Sequence, residues 1–319
     1  MAVLVGIDEA GYGPLLGPLV VSYAAFRLPV ESLQADMWQL LNRSVTQTAK
    51  RAAGRLLITD SKKAHTKSAG IKHLERTTQA VCCVAGQSPS SIASLITMLD
   101  PACLPRLSVY PWYGDLDSQP LTGDEADVGI AANALTHDLK RQSMAFLGVK
   151  SRCLDVAYYN ERVEIVRNKS NVLFTETCSL LQQALNHAVD EDLQVVIDRQ
   201  GGRIHYRESL LRMFPGAALT ILRETEQMSS YEMTTQNRRI RLHFVVKADA
   251  RCLPVSLASM VSKYVRELLI KRLNDYFLSF CPTLKRTAGY WQDGQRFVQD
   301  LKLQIPEKMP DKERLIRCR

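Results

Sequence analysis

In the stretch VLVGIDE at residues 3–9, an apolar run typical of a β-strand leads directly into two acidic residues. A second apolar run follows at residues 19–26, and the linking GYGPLLGP at residues 11–18 is rich in turn formers. We therefore predict two neighbouring strands, with the carboxylates of Asp8 and Glu9 at the end of the first.

Two further apolar runs also lead into an acidic residue. QVVI at residues 194–197 precedes Asp198, and FVVKA at residues 244–248 precedes Asp249. In open α/β sheets, functional groups gather beyond the carboxyl ends of the strands. One acid in such a place is commonplace and usually structural, whereas acids at three neighbouring strand ends indicate a shared site.

Asp8 and Glu9 reach one site only if the chain turns there, because neighbouring residues on a regular strand point to opposite faces. Gly11 and Gly13 make such a turn inexpensive. Four carboxylates in one cleft would repel each other unless a cation neutralised them, and oxygen ligands without His or Cys suit Mg²⁺ or Mn²⁺. Two such ions about 3.5–4 Å apart can hydrolyse a phosphodiester, so the acids predict metal-dependent phosphodiester hydrolysis.

The composition agrees with a nucleic-acid partner without requiring one. The 41 Lys and Arg residues exceed the 33 Asp and Glu residues, which gives a formal charge of +8. A basic chain favours polyanions, although an ordinary soluble basic protein has a similar charge. Eight cysteines without a CxxC pair and six histidines without an HExxH motif indicate reduced thiols and no structural zinc site.

The first residues lack the basic region of a signal peptide and meet two acids after a few apolar residues. This stretch therefore predicts neither a signal peptide nor a membrane span. We expect a monomeric, cytoplasmic protein that makes no contact with a membrane.

Hydrophobic spacing and turn residues predict the remaining elements. Helices are expected at residues 32–53, 67–85, 133–146, 172–189, 207–214 and 254–280, and strands at residues 151–159, 194–197, 218–222 and 241–249. Residues 151–197 are thus expected to form a strand–helix–strand unit with parallel pairing. Residues 87–127 are turn-rich, and we expect mainly a surface excursion there.

The motifs at these residues resemble those of ribonuclease HII. The similar segments are GIDEAGYGPLLGPLVVS at 6–22, TDSKK at 59–63, VVIDRQGGR at 195–203, KADAR with SLASMVSKYVRE at 247–267, and the Gly-Tyr pair at 289–290. They match the family's Asp-Glu-Ala-Gly strand, its Asp-Ser-Lys-Lys segment, the strands of the third and fourth acids, the Ser-rich helix and a late Gly-Tyr pair. Their order matches the family, and they cover roughly half of the chain.

The resemblance implies an α/β, ribonuclease H-like fold with a mixed five-stranded sheet flanked by helices and a helical C-terminal portion. We place the catalytic domain at residues 1–272, with insertions near residues 87–127 and 151–240, and a C-terminal helical extension at residues 273–319. The implied activity is two-metal hydrolysis, with Mg²⁺ or Mn²⁺, of RNA in RNA–DNA hybrids, with cleavage on the 5′ side of ribonucleotides embedded in duplex DNA. These nucleic acids are the implied partners.

Carried over position by position, the resemblance implies catalytic and metal-binding roles for Asp8, Glu9, Asp198 and Asp249. It implies substrate contacts by Gly11, Tyr12, Gly13, Ser61, Lys62, Lys63, Lys263, Arg266 and Tyr290. Some of these residues have a structural alternative: Tyr290 could pack in a C-terminal core instead of stacking on a sugar, and Lys62 and Lys63 could be ordinary surface residues. Lys263 and Arg266 fall near one helix face, where they could either pair with carboxylates or contact phosphates.

The chain departs from the family pattern at several positions. The Gly-Arg-Gly motif, which reads the ribose 2′-hydroxyl, is Gly11-Tyr12-Gly13 here, and Tyr12 cannot supply a guanidinium group. The Gly that usually follows the third acid is Arg199, the closing Arg-Asp of the helix motif is Arg266-Glu267, and no His stands before Gly289. We therefore expect altered substrate choice.

Two other functions are open on the sequence alone. One is a nucleic-acid-binding protein on the same scaffold that no longer cleaves, and the other is a nuclease acting on DNA flaps or branched junctions. Four mutually repelling acids argue against the first, and no sequence feature favours the second. The basic residues Arg238, Arg239 and Arg241 are either a solvated edge or a nucleic-acid contact.

Overall fold

The computed structural model describes residues 1–188, 191–235 and 238–318. Its strands are β1 (Ala2–Ala10), β2 (Leu19–Leu28), β3 (Val45–Thr46), β4 (Leu56–Leu57), β5 (Ala145–Leu154), β6 (Asp192–Asp198), β7 (Ala218–Glu224), β8 (Met228–Thr235) and β9 (Arg238–Val245). Its α-helices are α1 (Met37–Leu40), α2 (Ser61–Ala64), α3 (Lys72–Val84), α4 (Ile92–Leu99), α5 (Leu104–Leu107), α6 (Glu125–Arg141), α7 (Val156–Val166), α8 (Lys169–Ala184), α9 (Arg207–Met213), α10 (Leu253–Phe280), α11 (Trp291–Gln304) and α12 (Lys312–Leu315). Short 3₁₀ turns lie at Val30–Ser32, Ala49–Arg51, Pro111–Tyr113, Leu116–Ser118, Leu185–His187, Ala248–Ala250 and Pro306–Lys308.

Seven strands form one mixed sheet in the order β5-β2-β1-β6-β9-β8-β7. β1 is antiparallel to β2 and parallel to β6, which is in turn parallel to β9. The predicted α/β fold class, with a mixed sheet flanked by helices, is therefore confirmed. The sheet has seven strands rather than five, because residues 218–235 form the hairpin β7–β8, which extends the sheet beyond β9.

Two hydrophobic clusters cover the two faces of the sheet, and β1 contributes to both. Leu4 packs in the cluster that contains α10, whereas Val3, Val5 and Ile7 pack in the cluster that contains α8. Successive side chains of a strand point to opposite faces, so a strand covered on both sides is apolar almost throughout. This explains why the first residues of the chain form a continuous apolar run.

The first turn of α10 packs directly on β1 at Gly6. A Cβ atom at Gly6 would lie 2.1 Å from the Val255 nitrogen and 2.2 Å from the Pro254 carbonyl carbon, so no larger residue fits unless the helix shifts. Pro254 is tolerated there because the first turn of a helix leaves its N–H groups without intrahelical partners. Glycine at this position therefore sets how closely α10 approaches the strand that carries Asp8 and Glu9.

The expectation of a surface excursion at residues 87–127 is wrong. This segment contains α4 and α5, and its Leu95, Leu107 and Trp112 are buried in the same cluster as α10. The ring centroids of Trp112 and Phe277 lie 5.7 Å apart. Frequent Pro, Gly and Ser residues interrupt the helical spacing, and the packing partners of the apolar residues lie far along the chain.

The prediction of one helix at residues 32–53 is also wrong, because several short elements occupy this segment. Asp36 caps α1 by accepting a 2.9 Å hydrogen bond from the Trp38 N–H, and the helix ends after one turn. β3 then pairs in parallel with β4, and the Trp38 indole donates to the Ile58 carbonyl at 2.8 Å. Tertiary packing overrides the local helical spacing in this segment.

The strand–helix–strand unit expected at residues 151–197 is only partly right. β5 and β6 run in the same direction, but β2 and β1 lie between them, so the two strands are not paired. The connection holds two helices, α7 and α8, where one was expected at residues 172–189, and residue 189 lies outside the described residues. The helix expected at residues 133–146 is α6, which ends earlier because residue 145 already begins β5.

α10 runs without a break from Leu253 to Phe280, across residue 272, where we expected the catalytic domain to end. α11 and α12 follow it and form the expected helical C-terminal portion. The division into two parts at residue 272 stays a prediction from the sequence, as do the monomeric state and the cytoplasmic location. No helix in the described part of the chain is long and apolar enough to cross a membrane.

Candidate active site

Three of the candidate acids lie at the same end of three adjacent strands. β1 and β6 pair in parallel up to Ile7 and Ile197, the residues immediately before Asp8 and Asp198. β9 pairs in parallel with β6 through Asp198, and Asp249 follows in the 3₁₀ turn after β9. The strands that end in acids are therefore neighbours, which is the condition on which the sequence argument depended.

The turn expected at Asp8 and Glu9 does not occur. β1 continues through Ala10, because both acidic residues remain paired with β2 in the antiparallel ladder. The chain turns only at Gly11, whose φ is 90°. The two neighbouring carboxylates nevertheless both interact electrostatically with Asp198.

Burial and mutual repulsion raise the pKa of the acids. The pKa of Asp8 lies well above its usual range because the side chain is buried and because Glu9 and Asp198 are negatively charged. Burial and the charge of Asp198 raise the pKa of Glu9 to about 7. Burial and, more weakly, the charge of Asp249 raise the pKa of Asp198 to about 6. The four carboxylates therefore form one interacting group.

The turn that begins α2 borders this group of acids. Burial first, and then the charge of Asp60, raises the pKa of Asp249, and Asp60 has a weaker effect of the same sign on the pKa of Asp198. The Lys62 ammonium lowers the pKa of both acids. Lys62 and Lys63 are exposed, so both ammonium groups are accessible to an anionic ligand beside the carboxylates.

Serine side chains of α10 hold the backbone of two acidic residues. The Ser262 hydroxyl donates to the Asp8 carbonyl at 3.1 Å, and the Ser256 hydroxyl donates to the Asp249 carbonyl. The first of these contacts is buried, where an unsatisfied carbonyl would be costly. The Ser-rich helix therefore fixes the strand ends from which the acids project.

Ser61, one of the residues expected to contact substrate, lies beneath the surface. Its side chain is buried, and its hydroxyl oxygen lies within hydrogen-bonding distance, 3.1 Å, of the Ser259 hydroxyl oxygen. Ser259 also hydrogen-bonds the Asp8 carboxylate and lowers its pKa. Ser61 thus connects α2 to the acidic group through α10, and in this position its hydroxyl is not free for a ligand.

The acids fit a hard divalent cation in their chemistry, because all of their donor atoms are carboxylate oxygens, and their pKa values are raised first by burial and then by the negative charge of neighbouring acids. Over residues 1–188, 191–235 and 238–318, no three His, Cys, Asp or Glu side chains are already arranged to hold a metal ion. One oxygen of Asp8 accepts a 2.7 Å hydrogen bond from the Glu9 N–H, and one oxygen of Asp198 accepts a 2.7 Å hydrogen bond from the Ala248 N–H. The side chains would have to rotate toward a shared ion.

The Gly11-Tyr12-Gly13 loop follows β1 directly. A Cβ atom at Gly11 would lie 2.5 Å from the Pro18 carbonyl oxygen, so the turn requires glycine. The half-buried ring of Tyr12 lies 5.3 Å from the Lys169 ammonium at the start of α8, and burial raises the pKa of its phenol. The loop therefore presents a neutral aromatic ring with an ammonium group over its face.

Arg266 does not lie where the resemblance implies a substrate contact. Its side chain is 1% exposed and lies beneath Gly11 and Gly289, where it donates to the Ala288 carbonyl at 2.9 Å. Its guanidinium is also 3.3 Å from the Glu267 carboxylate. A phosphate would have to displace these partners, so Arg266 supports the loop from below.

Lys263 and Tyr290 differ in how accessible they are. The Lys263 ammonium pairs with the Glu267 carboxylate at 2.7 Å, and both side chains are largely buried. Tyr290 is 50% exposed, and its ring centroid lies 5.6 Å from the Arg266 guanidinium carbon. The exposed ring does not fit the alternative of packing in a C-terminal core, and it leaves an aromatic surface available for a ligand.

Arg199, which stands where the family usually has Gly, fastens the β7–β8 hairpin beside the third acid. Its guanidinium donates to the Thr225 carbonyl at 2.8 Å, to the Ser229 hydroxyl at 3.1 Å and to the Glu226 carbonyl. This departure from the family pattern therefore accompanies the two added strands, because the hairpin supplies the acceptors that the guanidinium needs.

The basic residues of β9 do not lie at an edge of the sheet, because β9 is paired with β6 on one side and with β8 on the other. The guanidinium groups of Arg239 and Arg241 lie 3.9 and 3.4 Å from the Glu232 carboxylate, and all three side chains are partly or largely solvent-exposed. Arg238 donates to the Leu185 carbonyl at 2.9 Å. The three guanidinium groups therefore have their partners within the protein.

Two polar residues beside the site were missed from the sequence. Asp60 stands inside the TDSKK segment, directly before Ser61, so an acid within a recognised motif was the available signal. Lys169 gave no signal, because it lies in a segment without family motifs and its partner Tyr12 lies far away along the chain. Contacts between distant segments depend on the tertiary fold and leave no local pattern.

No family model and no curated protein matches the chain. Among solved structures, the chain is similar to Bst-RNase HIII in complex with Mn²⁺, with 14% identity and a TM-score of 0.44 over 99% of this chain and 66% of that chain. It is similar to the RNase HII of Archaeoglobus fulgidus in its complex with PCNA, with 14% identity and a TM-score of 0.46 over 99% and 94% of the two chains. It is also similar to the ribonuclease H2 of Pyrococcus horikoshii OT3, with 14% identity and a TM-score of 0.42 over 98% and 92% of the two chains.

Proposed function

We propose that this protein is a divalent-metal-dependent endoribonuclease that hydrolyses the RNA strand of RNA–DNA hybrids or ribonucleotides embedded in duplex DNA. The observation that carries the proposal is the gathering of Asp8, Glu9, Asp198 and Asp249 at one end of three adjacent strands. Repulsion between these carboxylates adds to the effect of burial in raising the pKa of Asp8, Glu9 and Asp198, and bound cations would relieve this repulsion.

The four acids would hold Mg²⁺ or Mn²⁺, which, when bound, supply Lewis-acid activation of water and stabilisation of the leaving oxygen. The chain's own groups would place the phosphodiester. Lys62 and Lys63 are exposed next to the acids and would attract the phosphates of the backbone. The serine contacts from α10 would keep the strand ends in place while the carboxylates turn toward the ions.

Substrate choice would depend on the Gly11–Gly13 loop and on Tyr290. The family resemblance gives the loop the role of reading the ribose 2′-hydroxyl, and its backbone groups are retained here although the Arg is replaced by Tyr12. The half-exposed ring of Tyr290 offers a face on which a sugar could stack. The ammonium of Lys169 beside Tyr12 would restore part of the missing positive charge.

The proposal is tested by incubating the protein with matched duplexes that contain no, one or several ribonucleotides, first with Mg²⁺ and then with Mn²⁺. Cleavage confined to duplexes that contain ribonucleotides, and dependent on the ion, is the expected result. Asp8→Asn should be inactive, whereas Asp117→Asn, which changes an exposed acid outside the site, should cleave like the natural protein.

The same set of duplexes separates the competing functions. Tight binding of a hybrid without cleavage under either ion would favour a nucleic-acid-binding protein that no longer cleaves. Cleavage of a branched or flapped DNA without ribonucleotides would indicate a different nuclease activity.

A further inference from the structure

The side chain of Arg317 lies beneath the Gly11–Gly13 loop. It is 3% exposed, and its guanidinium donates to the Tyr12 carbonyl at 3.0 Å and to the Gly11 carbonyl. Two consecutive backbone carbonyls of the loop are therefore held by one planar group. Only a guanidinium presents donors in a fork that can bind two neighbouring acceptors in this way.

The backbone around Arg317 is held in place by contacts of its own. The Arg317 N–H donates to the Leu15 carbonyl at 2.9 Å, and Ile316 forms an antiparallel bridge with Leu16. The side chain of Asn160 donates to the Ile316 carbonyl at 2.8 Å and accepts from the Cys318 N–H at 2.7 Å. The position of the guanidinium is thus fixed by neighbouring strand-like pairing and by α7, independently of its contacts with the loop.

The surroundings of the guanidinium do not resemble those of an ordinary ion pair. Within the ranges that the structure describes, no carboxylate pairs with Arg317, and its guanidinium lies 4.0 Å from the centroid of the Tyr159 ring. Its Nε atom is buried without a hydrogen-bond partner. Burying a cation in this way is costly, and an apolar side chain could fill the same space at a lower cost. The guanidinium provides two kinds of contact, one with the face of the Tyr159 ring and one with the carbonyls of the loop, and only the second requires its hydrogen-bond donors.

These contacts fix the direction of two backbone donors. In a trans peptide unit, the N–H points away from the carbonyl of the same unit, and the described peptide bonds are all trans. Since the carbonyls of Gly11 and Tyr12 point toward Arg317, the N–H groups of Tyr12 and Gly13 point to the opposite side of the loop. Neither N–H donates to another residue in the described part of the chain.

We propose that Arg317 is a positioning residue for this loop: by holding two carbonyls from below, it presents the N–H groups of Tyr12 and Gly13 to the substrate. The proposal rests on the proposed nuclease function for the identity of the substrate. The segment around Arg317 would then be part of the substrate-recognition machinery although it lies far from the acids in the sequence. The positive charge that attracts the substrate comes from other residues, since the guanidinium of Arg317 is buried.

The test compares Arg317→Ala, Arg317→Lys and Arg314→Ala in the full chain. Arg314 lies in the same segment, and its guanidinium donates to the Val109 carbonyl at 3.4 Å and not to the Gly11–Gly13 loop, so Arg314→Ala is the matched control. Cleavage of a duplex with a single ribonucleotide should lose about tenfold to a hundredfold in kcat/KM in Arg317→Ala, because misplaced binding groups cost catalysis on this scale. Arg317→Lys should fall between Arg317→Ala and the natural protein, since one ammonium cannot grip both carbonyls in the same way.

Two readouts separate positioning from a loss of folding. Guanidinium chloride, added well below denaturing concentrations, should restore part of the activity of Arg317→Ala, whereas NaCl at the same ionic strength should not. Backbone ¹⁵N relaxation order parameters at Tyr12 and Gly13 should fall in Arg317→Ala but not in Arg314→Ala, while the stabilisation by Mn²⁺ remains. If Arg317→Ala does not fold, kcat/KM and the order parameters are measured on Arg317→Lys.

The order parameters also separate this proposal from the proposed function. If the natural protein cleaves no duplex, the nuclease function is wrong, and the order parameters at Tyr12 and Gly13 alone decide whether Arg317 orders the loop. Natural kcat/KM in Arg317→Ala, with unchanged order parameters in the loop, would overturn the positioning role. A loss of activity that guanidinium does not restore, with unchanged order parameters in the loop, would overturn it as well.

Discussion

The carboxylate of Asp198 accepts a 2.7 Å hydrogen bond from the backbone N–H of Ala248, the residue directly before Asp249. The third acid is thereby attached to the turn that carries the fourth, and the two are expected to move together. This bond lowers the pKa of Asp198, but burial outweighs it, so the pKa is still raised to about 6. Hydrogen bonds therefore hold the backbone of the site in place, while its buried carboxylates repel one another.

A bound divalent ion should reduce the repulsion between the carboxylates and thereby raise the melting temperature. Mg²⁺ or Mn²⁺ should raise the melting temperature of the natural protein, because an ion that binds only the folded state stabilises it. Asp8→Asn should melt slightly higher than the natural protein without metal, since one repelling charge is gone, and should gain much less from the ion. Thermal melts with and without the ion measure both effects, with Asp117→Asn as the control. An Asp8→Asn variant that is destabilised without metal would mean that the acid is structural.

The stability of the metal-free protein should fall as the pH rises from about 5 to about 8. The pKa of Glu9 is about 7 in the folded protein and near 4.5 when the chain is unfolded, so the folded state binds more protons between these values. The contribution of Glu9 to the free energy of unfolding is fully present below the pKa that Glu9 has in the unfolded chain. It is lost as the pH rises through the pKa that Glu9 has in the folded protein. A pKa shift of this size changes the free energy of unfolding by about 3 kcal/mol between the low-pH and the high-pH end of this range.

Urea unfolding at a series of pH values measures this dependence. Glu9→Gln should flatten the profile, and Glu161→Gln, which changes an exposed acid on α7, should leave it unchanged. Saturating Mg²⁺ should also flatten it, since the ion takes over the role of the protons. A stability that rises with pH over this range would show that the carboxylates are already compensated.

The sequence was sufficient for the three strands that lead to the acids and for the position of the acids, whereas β3, β4 and β8 were not predicted and the strand predicted at residues 151–159 lies at residues 145–154. The apolar runs before Asp8, Asp198 and Asp249 are strands or lead out of strands, and their order in the sheet makes the acids neighbours. Local patterns of this kind survive because a strand buried on both faces must be apolar along its whole length.

Features that depend on distant contacts could not be predicted in this way. Residues 87–127 pack against α10, and Arg317 reaches the Gly11–Gly13 loop from the far end of the chain. Arg266 falls on a recognised motif, but its burial depends on the packing of Gly289 and Leu16 around it. A motif gives the type of a residue and not the direction in which its side chain points.

Tyr12→Arg should sharpen substrate choice. An arginine there could hold a phosphate by charge-assisted hydrogen bonds, whereas tyrosine offers one neutral hydroxyl and a ring. The missing contact corresponds to on the order of 1–3 kcal/mol, or roughly tenfold to a hundredfold in discrimination. We expect the natural protein to prefer a single embedded ribonucleotide over a continuous hybrid only weakly, and the variant to prefer it more strongly.

The measurement is the ratio of kcat/KM for the two substrates at a fixed salt concentration, because phosphate contacts depend strongly on ionic strength. Tyr12→Phe is the control, since it keeps the ring without adding charge. A strong preference in the natural protein, together with an unchanged ratio in Tyr12→Arg, would contradict this account of the loop.

Tyr290→Ala should impair cleavage of the single-ribonucleotide duplex more than it impairs metal binding. The ring is half-exposed and would contribute by stacking, which is worth about 1–3 kcal/mol. Cleavage kinetics and the melting shift with Mn²⁺ provide the two measurements, and Tyr290→Phe should retain most of the activity. An equal loss of cleavage and of metal stabilisation would indicate that Tyr290 supports the fold instead.

The four acids are tested together by cleavage of a duplex with one embedded ribonucleotide, with Mg²⁺ and with excess chelator. We expect the natural protein to cut this duplex with the ion and not with the chelator, and we expect Asp8→Asn and Asp249→Asn not to cut it although both remain folded. Undiminished cleavage by either variant, or full cleavage in the presence of the chelator, would contradict the assignment of the four acids to a metal-dependent site.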